Sequence, residues 1–287
     1  GLEPAGKSTG NLTEQKLNWF YGISFLFIAA SVFFFVNEWY WFFIVPAVIA
    51  VLYLTFVAID KTILLITFCT PLAVTLSDND FGVAMSVPTE PILFGILLIF
   101  ILKLFYDGNF DKKLLSHPVT IIIVLHLLWM GLTTLSSSMP LVSWKFLISR
   151  CWFVVSFYFL GVMLFKNYAN IKRFIWLYAV PLIGVIFYTI ITHAQHGFDE
   201  QSSHWVMTPF MNDHTAYAAI IAMFIPIVLG FSFNRQHSLT IRATAFLFWL
   251  IFVVAIVLSY SRAGWLSLTV AFVVYLFFIL KIRFPVI

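Results

Sequence analysis

Long apolar runs, following one another with almost no charge inside them, decide what this chain can become. Hydrocarbon satisfies no backbone N–H or C=O, so a chain that enters it must close its own hydrogen bonds as helices or as a closed barrel. A spanning helix needs roughly 20 apolar residues. On that measure the sequence contains about ten spans: 19–36, 39–59, 62–77, 91–106, 119–135, 147–165, 174–192, 215–232, 243–260 and 264–280. No alternation of polar and apolar residues at period two is evident, which argues against a barrel. Only 10% of residues are charged, against about 25% in soluble domains, so an ordinary soluble enzyme is excluded. The expected fold is all-α, a polytopic transmembrane helical bundle with the lipid bilayer as its main solvent. Nothing in it suggests a nucleic-acid partner.

Sidedness follows from the basic residues, which concentrate in cytoplasmic loops. With the N-terminus inside and the spans alternating, the inner segments hold Lys7, Lys16, Lys61, Lys103, Lys112, Lys113, Lys166, Lys172, Arg173, Arg235, Arg242, Lys281 and Arg283. Only Lys145, Arg150 and Arg262 remain outside. Glu38, Asp78, Asp80, Glu90, Asp199, Glu200 and Asp213 also lie outside. Both termini are then cytoplasmic. Residues 1–18 read as a cytoplasmic tail without the apolar core or cleavage site of a signal peptide, and 19–287 as the transmembrane domain. Its two longer outer loops are 78–90 and 193–214. Pro46, Pro71, Pro181 and Pro226 fall inside spans, where proline favours kinks. Cys69 and Cys151 lie in apolar runs and suggest neither a disulfide framework nor a zinc site. The inner "DGNFDKKLLSHP" and "KNYANIKRF" segments read as solvated loops touching headgroups.

Arg262 stands out because it lies between two apolar runs, in "FVVAIVLSYSRAGWLSLTVAFVVYLFFIL". Arginine at the centre of a membrane helix costs on the order of 3 kcal/mol or more. The assigned topology puts it at the outer end of the ninth span, where Ser259, Tyr260 and Ser261 can hydrogen-bond it and Gly264 permits a sharp turn or a close helix approach. The plain reading is an arginine snorkelling to the outer headgroups. Against that stands the scarcity of basic residues outside, and a second outer pair, Lys145 and Arg150, in "SMPLVSWKFLISRCW". Five residues apart, these two do not share a helical stripe, but either can turn toward Arg262 at a helix end. Clustered cations at an outer lip suit a lipid-linked phosphate, which arginine holds by charge-assisted, bidentate bonds.

"LSYSRAGWLSLTVAF" resembles the Ser-Arg signature of the O-antigen ligase and O-antigen polymerase superfamily, in which one span ends in Ser-Arg and the next opens with small and apolar residues. "MTPFMNDHTAYAAIIAMFIPIVLG" is similar to the segment of those proteins where a polar turn opens a proline-containing span. The resemblance covers roughly residues 20 to 285. It implies a glycosyltransferase at the periplasmic face of a bacterial inner membrane, working without metal or cofactor. The donor would be a glycan on undecaprenyl diphosphate. The acceptor would be a sugar hydroxyl, on lipid A–core for a ligase or on another lipid-linked repeat for a polymerase. Arg262 matches the motif as a ligand of the lipid diphosphate, and Arg150 matches in position only; Lys145 joins them from sidedness. In this family the activating histidine lies in a large outer loop after the equivalent of the tenth span. This chain ends at Pro285–Ile287, so the resemblance implies a longer protein and an inactive chain on its own.

Within the chain, His214 is the best available base, with Asp213 beside it to orient its ring. The plainer reading is that Asn212 or Asp213 caps a helix and His214 sits in its first turn. His193 and His196, with His204 and Asp199 nearby, have a spacing that metal ligands on one helix can have, but no clear fourth partner. His126, in "IIIVLHLLWMG", reads as a neutral imidazole bonded within the bundle. A transporter or lipid flippase would be expected to carry charge at the bilayer midplane or paired broken helices, and these spans carry almost none. The orientation has a direct check. In a background lacking Cys69 and Cys151, Arg262→Cys should react with a membrane-impermeant maleimide added to intact spheroplasts; reaction only after lysis would reverse the topology.

Overall fold

The structure, a computed structural model, describes residues 7–37, 45–78, 83–107 and 112–279. The chain divides into two units, residues 1–57 and 58–287. The first unit contains helix α1 (Lys7–Val36) and helix α2 (Val45–Val57). Helix α1 begins inside the stretch read as a tail, and its apolar part is Leu17–Val36. Helix α2 covers the second part of the expected span 39–59. The beginning of the expected span 39–59, with Glu38, Trp39 and Trp41, lies outside the described residues, as do Lys281 and Arg283.

The second unit runs through α3 (Ile59–Cys69), a 3-10 turn (Thr70–Leu72), strands β1 (Val74–Asp78) and β2 (Val83–Val87), and helices α4 (Thr89–Asp107), α5 (Lys112–Leu115) and α6 (Pro118–Leu135). It continues with α7 (Pro140–Phe153), a π-helical segment (Val154–Phe159), α8 (Leu160–Phe165), α9 (Tyr168–Gln195), a 3-10 turn (Ser202–His204), α10 (His214–Phe233), α11 (Leu239–Leu258) and α12 (Arg262–Ile279). Among the described residues seven helical stretches are long and apolar enough to cross a membrane, so this is a multi-pass helical membrane protein. The span expected at 62–77 is shorter in the structure, since α3 ends at Cys69.

The expectation for 62–77 needs correcting. Its last residues leave the helix and form an antiparallel hairpin in which Val74 pairs with Val87 and Thr75 with Ser86. The strands do alternate: Val74, Leu76, Met85 and Val87 interleave with Thr75, Ser77 and Ser86. Five residues per strand are too few to stand out beside long apolar runs. The span read as 147–165 also starts earlier. Pro140 opens it, since proline at the first helical position loses no bond the helix would have made. The stretch Pro140–Phe165 has 26 residues, so Lys145 and Arg150 are residues of the helix and do not sit at its end.

Two cores hold the second unit. One gathers Leu182, Ile186, Tyr217, Ile221, Phe224 and Phe252 between α9, α10 and α11; there Tyr178 stacks on Phe224 at 4.8 Å. The other gathers Ile63, Ile66, Leu93, Ile96, Trp152 and Leu160 from α3, α4, α7 and α8. Between helices in lipid there is no hydrophobic driving force, and close packing through small residues takes its place. Gly264 supplies that approach. A Cβ built there would lie 2.7 Å from the Cβ of Ala218 on α10, nearer than two carbons can come. His126, by contrast, is exposed on α6 and is not bonded within the bundle, because most of α6 faces outward. Gly264→Ala should therefore push α10 and α12 apart and cost about 1–3 kcal/mol of stability, the usual range for overpacking. The drop in melting temperature in detergent should be largely recovered by adding Ala218→Gly; no drop in the single variant would remove the close contact from the account.

Candidate functional site

The Ser-Arg stretch folds as a locked turn between α11 and α12. Ser259 Oγ donates to Ile256 O at 2.7 Å and accepts from Ser261 N at 3.3 Å, while Ser261 Oγ caps α12 by accepting from Gly264 N at 3.3 Å. Trp265 Nε1 donates back to Ile256 O at 2.8 Å. Both serines are buried. Between them Tyr260 takes a left-handed φ of 49°, a conformation that is a genuine outlier for a bulky side chain. Its hydroxyl donates to Phe198 O at 3.0 Å, tying the turn to the loop after α9. The serines thus serve the backbone, not the guanidinium as expected. Arg262, first residue of α12, is exposed.

Gly264 lies against Ala218, so Arg262, two residues earlier on α12, stands at the level of the first turn of α10. That first turn is ordered by Asp213, whose Oδ1 accepts from Ala216 N at 2.7 Å. Asp213 is therefore a helix cap, and the partner of His214 is His204. Their Nδ1 atoms are 3.0 Å apart and the rings meet edge to face at 4.2 Å. One of the two must present a bare nitrogen to accept the other's proton. His193 is buried with Nε2 2.9 Å from Asp199 O, and His196 Nδ1 lies 2.8 Å from Thr192 O with its ring edge-on to Trp205. His193, His196 and the His204–His214 pair are engaged in different places, and among the described residues no three His, Cys, Asp or Glu side chains converge as metal ligands would. Asp199 holds the loop's 3-10 turn. The hydroxyl and N–H of Ser202 donate to its carboxylate and hold its pKa below the usual carboxylate value.

Two concavities adjoin the first turn of α4. The first, of about 330 Å³, lies between the hairpin, the start of α4, the π-helical segment and the residues that lead into α10. Its wall is mostly apolar, with Leu93, Phe153, Phe157 and Phe210, and is set with polar groups from Thr75, Ser86, Thr89 and Asn212 and the carboxylates of Glu90 and Asp213. The second is an almost wholly apolar groove of about 550 Å³ between α4 and α7, lined by Pro91, Phe94, Leu141, Trp144, Ile148 and Trp152, with Glu90 and Lys145 as its only charged groups. Glu90 belongs to both. The π-helical segment begins two residues after Trp152. Such bulges recur at functional sites because they shift the register of the ladder, and beside this one the buried Trp152 Nε1 and Ser156 Oγ have no hydrogen-bond partner.

Of the cations expected to cluster, Lys145 lines the groove, whereas Arg262 and Arg150 line neither concavity. Arg150 is exposed with its guanidinium 5.8 Å from the centre of the Phe146 ring, one turn back on α7. No hydrogen bond, ion pair or ring contact joins Arg150 and Arg262. The sequence analysis places Glu90 among the outer acidic residues and gives it no role in a site. The signal was available, since an acid in the first turn of a helix complements the positive end of its dipole. Comparison with protein-family models, curated proteins and solved structures finds no match to this chain.

Because Asp213 both caps α10 and lines the cavity beside Glu90, its two roles separate by substitution. Asp213→Ala should destabilise the protein by on the order of 1 kcal/mol through loss of the cap. Asp213→Asn, which can still accept from Ala216 N, should retain most of that stability while removing the charge. Equal melting temperatures for the wild type and the alanine variant would show that the cap does not matter.

Proposed function

We propose that this protein is an O-antigen ligase-like glycosyltransferase of a bacterial inner membrane, moving a glycan from undecaprenyl diphosphate to an acceptor sugar hydroxyl, on lipid A–core or a similar glycolipid, at the periplasmic face. The observation that carries the reading is the junction at Glu90, where a cavity that carries carboxylates, hydroxyls and aromatic rings meets an almost wholly apolar groove holding Lys145. A lipid-linked sugar has that same division. The isoprenoid chain suits the groove between α4 and α7, and carboxylates, hydroxyls and an amide beside aromatic walls suit the hydroxyls and ring faces of a sugar. The diphosphate would lie between them, with Lys145 at the groove and Arg262 at the level of the first turn of α10; Arg150 serves only as a more distant cation on α7.

In the transfer the acceptor oxygen attacks the anomeric carbon as the bond from that carbon to the diphosphate oxygen breaks. The electron pair leaves with the diphosphate, where fixed cations stabilise it most as the charge develops. The acceptor's proton must go to a base. Within this chain the candidates are the His204–His214 pair, where one ring nitrogen is already an acceptor, and Glu90, which lines the cavity.

A strain deleted for the gene and complemented with the full-length protein provides the test. Arg262→Ala, Lys145→Ala and Glu90→Gln should each lower glycan transfer by about 100-fold or more, the scale of losing one charge-stabilising group, while membrane insertion stays normal. Unchanged surface polysaccharide in all three would reject the reading. The lipid-linked intermediates of the deletion strain identify the acceptor: long chains that fail to reach lipid A–core indicate a ligase, and single repeats indicate a repeat-unit polymerase. Uptake of a substrate into sealed vesicles would place the protein among transporters or flippases.

A further inference from the structure

A third cavity lies at the far end of α10, about 30 Å along the helix from His214 at 1.5 Å per residue. It has a volume of about 290 Å³ and opens between the start of α9 and the turn that joins α10 to α11. Lys172, Asn234, Gln236 and His237 form its polar rim, and Ile175 and Ile227 stand on its apolar wall. Local chemistry fixes the rim. Asn234 Oδ1 accepts from Gln236 N at 3.0 Å, His237 N donates to Asn234 O at 3.2 Å, and the His237 ring packs on Phe231 at 5.2 Å.

The charge around this cavity is one-sided. The segments that build it contribute Lys166, Lys172, Arg173, Arg235 and Arg242, while the sequence has no acidic residue between Asp111 and Asp199 and none after Asp213. Arg173 donates to Asn170 Oδ1 at 3.4 Å and Arg242 to Ser232 O at 3.0 Å, both neutral acceptors. Among the described residues Lys172 and Arg235 make no hydrogen bond or ion pair, and neither does Asp60 at the start of α3, the helix that packs on α9. Lys172 and Arg235, held beside a preformed hollow with no ion-pair partner among the described residues, call for an anion. The level in the membrane says which kind. The hollow lies where three spanning helices end, with Tyr168, Phe233 and Leu239 exposed nearby, the composition of a headgroup boundary.

We propose that this cavity binds the phosphate of an anionic phospholipid, with Lys172 and His237 on the phosphate, the side-chain amides on the glycerol oxygens and an acyl chain along Ile175 and Ile227. Basic pockets between helices at the cytoplasmic boundary take such headgroups in general. The proposal is independent of the glycosyl-transfer reading, because it uses the opposite end of α10.

The test is native mass spectrometry of the full chain released from nanodiscs of phosphatidylglycerol and phosphatidylcholine in equal parts. The wild type should retain phosphatidylglycerol selectively. Lys172→Gln with Arg235→Gln should lower that retention by about tenfold, equivalent to about 1.4 kcal/mol, while Lys172→Arg, which keeps the charge, should retain it. Equal retention of the two lipids, or no change in the double variant, would overturn the proposal. Full displacement of the lipid by millimolar inorganic phosphate would overturn the lipid assignment in favour of a soluble anion.

Discussion

In hydrocarbon the backbone has only itself to bond with, and this constraint shapes both where the chain is regular and where it is not. Through the spans the protein is helix after helix, and the hydroxyls of Thr55, Thr67, Thr134 and Thr189 turn back to carbonyls four residues earlier. Departures from the α-helix in the second unit collect around one place. The 3-10 turn after α3, the hairpin, the π-helical segment and the loop before α10 all contribute residues to the cavity beside Glu90 or flank it. Irregular backbone at or near membrane depth is tolerated where it is buried in protein or lines a polar hollow. The concentration of exceptions therefore points to the cavity more firmly than any single side chain does.

The turn at Ser259–Ser261 shows how a short motif can do structural and chemical work together. A left-handed tyrosine costs on the order of 1–3 kcal/mol and persists only where its surroundings over-determine it. Here the surroundings are two buried serines, an indole N–H and a tyrosyl bond to the loop after α9. The glycine that follows lets α12 lie against Ala218. Together they set the height of Arg262 beside the first turn of α10 and leave its side chain exposed. The turn positions the cation without binding it, an arrangement that leaves the guanidinium's donors open to a ligand.

Most of the helical architecture was legible in the sequence because a run of apolar residues is a strong and local signal. What escaped was short or depended on distant partners. The hairpin needed two five-residue strands to find each other across a loop, and its hydrophobic residues merged with the run before it. Helix α7 was read as starting late because "SMPLVSWK" is polar enough to pass for a loop, although Pro140 is a good first helical residue. Asp213 was legible in both its possible roles, and only the bond to Ala216 N decides for the cap. The partner of His214 was not legible at all: His204 lies ten residues away across a loop whose path no periodicity describes. Glu90 was hidden for the same reason, since its significance comes from α7 and from the residues before α10, which meet it only in three dimensions.

The two ends of the second unit carry opposite chemistry, and the contrast bears on how the proposed reaction would be oriented. At the α9–α11 boundary cations accumulate without carboxylates; at the opposite end Glu90, Asp213 and a set of hydroxyls line the hollow, with Lys145 and Arg262 kept apart from one another. A pocket made only of cations would hold a diphosphate in the ground state as firmly as in the transition state, and uniform binding of that kind does not accelerate the chemical step. A cavity that carries two carboxylates disfavours a phosphate inside it, so under the proposed function a lipid-linked donor would have one favoured pose. In the proposed pose the glycan would enter the cavity, the chain would follow the groove, and the phosphates would stay at the boundary.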